Sequence, residues 1–241
     1  MKYFQIIALA GFLLFLAPSI KAQKDSVKEE LNQTNDWPQL RRYRSANAQL
    51  SARARNENRV VFMGNSITDA WIDVSPDFFK GKPYLDRGIS GQTTPQMLVR
   101  FRQDVIDLNP KVVVILAGIN DIAGNTGPSS LEMIEDNLTS MAQLAKTNGI
   151  KVVMCSVLPA FSFPWRPGID PVQKIIELNK WIKNFADKNN FVYVDYYNAM
   201  VDERKGLPEN LSKDGVHPNE AGYKIMEPLA EKGISKALGG K

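Results

Sequence analysis

At 241 residues with 44% hydrophobic side chains, the chain is long enough for one domain with a large apolar core and needs no stapling. Its one cysteine, Cys155, excludes an internal disulfide, and a formal charge of +4 predicts neither nucleic-acid binding nor a polyanionic partner. One histidine, His217, and no paired cysteines leave no zinc-type cluster. Neither a Gly-x-Gly-x-x-Gly nor a Gly-Lys-Ser/Thr loop is present, so no metal or nucleotide cofactor is expected.

Residues 1–22, MKYFQIIALAGFLLFLAPSIKA, have the layout of a secretory signal: Lys2 at the start, an apolar run from Ile6 to Leu16, and the small Ala22 before Gln23. The run is shorter than the roughly 20 residues a bilayer span needs. Cleavage and export, to the periplasm or fully secreted, are expected, with no stable membrane insertion afterwards. No cysteine at the cleavage point speaks for a lipid anchor. Without these residues, which hold Lys2, Lys21 and no acid, the formal charge falls from +4 to +2. Residues 23–58 are polar and basic, with Trp37, Leu40 and Tyr43 spaced to pack one helical face. They read as an N-terminal helical arm ahead of a domain over 59–241.

From residue 59 onward, β-branched runs alternate with longer amphipathic stretches. The runs are RVVFMG (59–64), YLDRGIS (84–90), KVVVILAG (111–118), IKVVMCSV (150–157) and FVYVD (191–195). Three are almost uninterruptedly apolar, as strands covered on both faces tend to be. Helices are predicted over 94–107, over 129–148 with PSSLE as start and Gly149 as stop, over 170–189, and after Pro218. This order implies an α/β fold with right-handed crossovers: a five-stranded parallel sheet sandwiched by helices in three layers. Such sheets place their sites on loops beyond the carboxyl ends of the strands. Cys155, among apolar neighbours in KVVMCSV, reads as an inert core thiol.

The polar oddities fall on those loops. Strand one runs into GNSITD, where Ser66 stands at a helix start that favours developing negative charge. Strand two runs into GISGQT with Gly91, and strand three into GINDIAG with Asn120, whose amide could stabilise an oxyanion. Asp214-Gly215-Val216-His217, after strand five, supplies a base and a carboxylate to orient it, with Gly215 allowing the tight turn. Each loop alone has an ordinary explanation: Ser66 as a helix cap, Asn120 and Asp214 as turn residues, Gly91 as a positive-φ position, His217 as a surface side chain. Four such loops at strand ends are harder to explain that way.

FMGNSITDAW, RGISGQTT, LAGINDI and DGVHPNEAGY resemble, in order and spacing, the four motif blocks of the SGNH hydrolases, the GDSL-type esterases and lipases. The resemblance covers roughly residues 59–235. It implies the flavodoxin-like fold of that family, Ser66 as nucleophile, His217 as base and Asp214 as its orienter. The Ser66 and Gly91 N–H groups and the Asn120 amide would form the oxyanion hole. One departure is Asn65, where the family name implies aspartate; its amide is expected to hold the loop by hydrogen bonds. No Gly-x-Ser-x-Gly elbow is present, which separates this reading from the α/β-hydrolase fold.

LPAFSFPWRPGID, residues 158–170, follows strand four and is rich in rings and prolines. It could wall the site, with Trp165 stacking on a sugar face and Arg166 bonding ring or acyl oxygens, or it could only plug the sheet end. Secreted relatives with a PWRPG loop look like carbohydrate acetylesterases, so the substrate that this resemblance implies is a small-molecule or carbohydrate ester, an acetyl ester above all. A lysophospholipase or platelet-activating-factor acetylhydrolase-like lipid esterase is the nearer alternative, and a non-catalytic carbohydrate-binding module the remoter one.

Overall fold

The computed structural model describes residues 36–50, 52 and 57–240. The signal-like segment and most of the predicted arm lie outside the described residues. The unit that holds the sheet begins at Pro38. Residues 40–43 form turns, with Gln39 left-handed at a φ of 56°, and helix α1 spans only Arg44–Gln49. The 37/40/43 spacing therefore does not mark a helical face.

In chain order there follow β1 (Val60–Gly64), α2 (Ser66–Asp69), α3 (Trp71–Val74), β2 (Tyr84–Gly88), α4 (Thr94–Asp104), β3 (Val112–Leu116), α5 (Ile119–Ile122), α6 (Leu131–Thr147), β4 (Lys151–Cys155), α7 (Val172–Asn189), β5 (Val192–Val194), α8 (Tyr196–Met200) and α9 (Glu220–Ala237). The five strands are parallel in the order β2-β1-β3-β4-β5. The five predicted strands and four long helices are all present, with ends trimmed by a few residues. The helix start expected at Ser66 is present as α2, while the short helices α3, α5 and α8 were not legible, because one turn gives no periodicity to read.

Alternation along the strands divides the core in two. Val61, Met63, Val113, Ile115, Val152 and Met154 face one layer, packed with Phe101, Leu138, Met141, Leu178 and Ile182 from α4, α6 and α7. Val60, Phe62, Val112, Val114, Val153 and Cys155 face the other, packed with Trp71, Phe78, Tyr223 and Met226. Trp71 stacks between Phe78 and Tyr223 at centroid distances of 4.9 and 5.2 Å. Apolar burial on both sheet faces supplies most of the stabilisation, at about 25 cal/mol per Å² removed from water. Burial also pushes the Cys155 thiol up to about 12, in keeping with an inert core thiol.

Local signals fix the helix starts. Ser130 caps α6 by accepting from Met133 N at 3.3 Å, Asn219 caps α9 by accepting from Gly222 N at 3.1 Å, and Thr93 with Gln96 forms a capping box on α4. The chain leaves β1 toward β2 on one side and reaches β3 on the other, so a crevice opens between the carboxyl ends of β1 and β3.

Candidate active site

Ser66 is the first residue of α2, directly after β1. The capping position is taken by Asn65, so Ser66 is not the cap. Its hydroxyl lies 2.9 Å from His217 Nε2, and His217 Nδ1 lies 2.6 Å from Asp214 Oδ2. Asp214 is itself held: Oδ1 accepts from the N–H groups of Val216 at 2.9 Å and His217 at 2.8 Å, and from Ser212 Oγ at 3.1 Å. Gly215, with a φ of 77°, makes the turn that lets Asp214 and His217 face one way. Partial burial alone would raise the Asp214 carboxyl, but these N–H bonds and the imidazole outweigh it and hold the group at about 2. An ionised carboxylate on Nδ1 fixes the tautomer and leaves Nε2 able to accept the Ser66 proton.

The side chain of Asn65 does not hold the loop as expected. Both its amide atoms are buried with no protein partner, and the work is done by its carbonyl, which accepts from Thr68 N at 3.1 Å and Asp69 N at 2.8 Å. Asp69 then ties α2 to the loop after β2: its Oδ2 accepts from Ser90 N at 3.1 Å and Ser90 Oγ at 2.6 Å. Gly91 follows with a φ of 79°, and an added Cβ would meet no protein atom within 4 Å. Backbone conformation, not crowding by the protein, is therefore the reason for glycine there.

Asn120 opens α5 after β3, buried, and its Nδ2 donates to Gln92 O at 2.9 Å. That bond, rather than one to its own turn, orients the amide and leaves the second N–H available. The backbone N–H groups of Ser66 and Gly91 donate to no acceptor among the described residues. Asp121, which sequence reasoning passed over beside Asn120, clamps the start of α4. It accepts from Thr94 N at 2.9 Å and Thr94 Oγ1 at 2.6 Å, and burial, only partly offset by these bonds, raises its carboxyl to about 6.

The loop after β4 reaches the same place. The Trp165 ring lies 6.0 Å from the His217 ring and 5.3 Å from the buried Phe163, and its indole N–H donates to Asn125 Oδ1 at 3.1 Å. Asn125 Nδ2 donates in turn to Gly91 O at 3.4 Å. Arg166 Nη2 donates to Gly124 O at 3.2 Å, so Arg166 braces this loop. Trp165 keeps 39% of its surface open. A separate cavity of about 720 Å³, lined by Lys146, Lys151 and Lys236, lies at the amino ends of β4 and β5, away from these side chains. No helix among the described residues is long and apolar enough to cross a membrane.

A crystallographically solved GDSL-like lipase from Bacteroides thetaiotaomicron is 50% identical, with a TM-score of 0.81 over 83% of this chain and 98% of that one. An uncharacterized lipoprotein of Bacillus subtilis is 29% identical over 56% of this chain and 49% of its own length. An acetylxylan esterase of Xylanibacter ruminicola is 27% identical over 73% of this chain and 43% of its own. The chain thus spans about half the length of these two curated relatives. The GDSL-like lipase/acylhydrolase family profile matches residues 62–225, more than half of the chain and all four strand-end loops. The chain belongs to the GDSL-like lipase/acylhydrolase family, and its domain is that of a carboxylic ester hydrolase.

Proposed function

We propose that the protein is an exported serine esterase that removes short acyl groups, acetyl above all, from carbohydrates. The observation that carries this reading is the continuous line from Asp214 through His217 to the Ser66 hydroxyl, at 2.6 and 2.9 Å. His217 Nε2 takes the Ser66 proton as Oγ attacks the ester carbonyl. The Ser66 and Gly91 N–H groups and the Asn120 amide receive the oxyanion, each such donor contributing about 3 kcal/mol to the transition state. The alcohol leaves with the proton from His217. Water then enters by the same route and releases the acid from the acyl-enzyme.

The substrate class rests on two supports. Trp165 presents a half-open ring beside His217, suited to stacking on a sugar face, while Arg166 offers its remaining N–H groups to acyl or ring oxygens. The acetylxylan esterases among the relatives act, by their names, on an acetylated carbohydrate. Export is supported by the signal-like residues 1–22 and by the lipoprotein relative.

Acid release from acetylated xylo-oligosaccharides, acetyl and octanoyl aryl esters and lysolipids tests the reading. Acetylated sugars and short aryl esters are expected to turn over fastest. Preference for octanoyl esters and lysolipids would assign the lipid-directed alternative, and sugar binding without acid release would assign the non-catalytic one.

A further inference from the structure

Arg100 lies on α4, outside the four motif blocks, and is fully buried with Asp104. A buried guanidinium is costly, and a buried ion pair is a poor source of stability compared with apolar packing. The three groups it serves indicate another role. Nη2 donates to Gly64 O at 2.9 Å, two residues before Ser66. Nε donates to Gln92 Oε1 at 2.6 Å, one residue after Gly91. Nη1 pairs with Asp104 Oδ2 at 3.1 Å. The backbone carbonyl of Gln92 accepts from the Asn120 amide, so Arg100 bonds two of the loops that bear oxyanion donors directly and is linked to the third through Gln92.

The segment 38–47 closes the outer side of the same network. Asn47 Nδ2 donates to Asp104 Oδ1 at 2.8 Å and to Gln103 O at 3.1 Å, while Asn47 Oδ1 accepts from Arg87 Nε at 3.0 Å. Gln92 Nε2 donates to Pro38 O at 2.7 Å, and the Tyr43 hydroxyl donates to Gly88 O. Arg42 Nη2 reaches Asp69 Oδ1 at 3.3 Å, the carboxylate that holds Ser90.

We propose that Arg100 is the positioning residue of the oxyanion hole, and that the segment before β1, through Asn47, holds Arg100 in register. The proposal rests on the esterase reading above. Arg100 acts through its rigid fork: one plane of donors sets the spacing between Gly64 and Gln92, which a point-like ammonium cannot reproduce. Oxyanion donors work only within a few tenths of an ångström of the developing charge, so a displaced loop lowers turnover with little effect on ground-state binding.

The test is Arg100→Lys and Asn47→Ala in the full chain. Hydrolysis of an aryl acetate is measured as kcat per active site titrated with a fluorophosphonate, together with KM and the pH profile. Arg100→Lys is expected to lower kcat per titrated site about 10- to 100-fold, and Asn47→Ala about 3- to 10-fold. KM should stay within about twofold, and the pH profile should keep its wild-type midpoint, since His217 is untouched. Were Arg100 merely structural, the variants would lose titratable sites or melt earlier while each remaining site turned over at the wild-type rate. That result in Asn47→Ala overturns the proposal even where Arg100→Lys does not fold. A wild-type protein that hydrolyses no ester would remove the underlying reading instead, so the two failures are distinct.

Discussion

Ser66 and His217 are 151 positions apart in the chain, yet Oγ and Nε2 stand 2.9 Å apart. The contact exists because β1 and the turn after β5 both end at the carboxyl edge of one parallel sheet. Asp214 completes the line and remains a carboxylate down to about 2.

Asp214→Asn should lower kcat by about 10²- to 10⁴-fold with little change in KM, since it removes imidazolium stabilisation and favours the wrong tautomer. The same group makes a pH-dependent contribution to stability. Its carboxyl is depressed from 3.8 to about 2, so the contribution is fully present above 3.8 and lost as pH falls through about 2. Melting curves of the two proteins should differ by a constant amount at pH 5 and above and converge toward pH 2.

Trp165→Ala should separate binding from chemistry. The ring stands beside His217 and touches none of the proton-transfer atoms, so kcat on a small aryl acetate should stay within about threefold. KM for acetylated xylo-oligosaccharides should rise about 3- to 10-fold, the worth of one lost ring contact. Equal effects on both substrates would indicate that Trp165 only braces Asn125.

Asp86 is a cost to the fold at neutral pH. Burial, helped by the nearby charge of Asp69 and opposed by the Gly88 N–H bond, raises its carboxyl to about 7, and Oδ2 has no protein partner. A raised acid keeps its proton in the folded state between 3.8 and about 7, so its contribution is fully present below 3.8 and lost as pH rises through about 7. Asp86→Asn should therefore gain stability over wild type on going from pH 4.5 to pH 8, by on the order of 1–3 kcal/mol. A Tm difference independent of pH would contradict this.

Much of the site was legible because its chemistry sits in four short loops, each following a run of β-branched residues. Ser66, Gly91, Asn120, Asp214 and His217 could be named as candidates from residue type, from position at strand ends and from the resemblance of the four loops to the motif blocks. Arg100, Gln92 and Asn47 could not. Arg100 lies mid-helix in VRFRQD, where an arginine reads as a solvated charge, and only the tertiary fold turns it inward to Gly64 and Gln92. The role of Asn65 was misread for a related reason: sequence shows an amide able to bond, but not whether any partner lies within reach. The 37/40/43 spacing failed because Gln39 takes a left-handed conformation and breaks the period.

Covalent labelling tests the central claim most directly. After exposure to a fluorophosphonate, peptide mass spectrometry of the intact protein should find one adduct, on Ser66, forming at a rate that falls at least about 10²-fold in His217→Ala. An adduct elsewhere, or labelling of Ser66 at the same rate without His217, would contradict it.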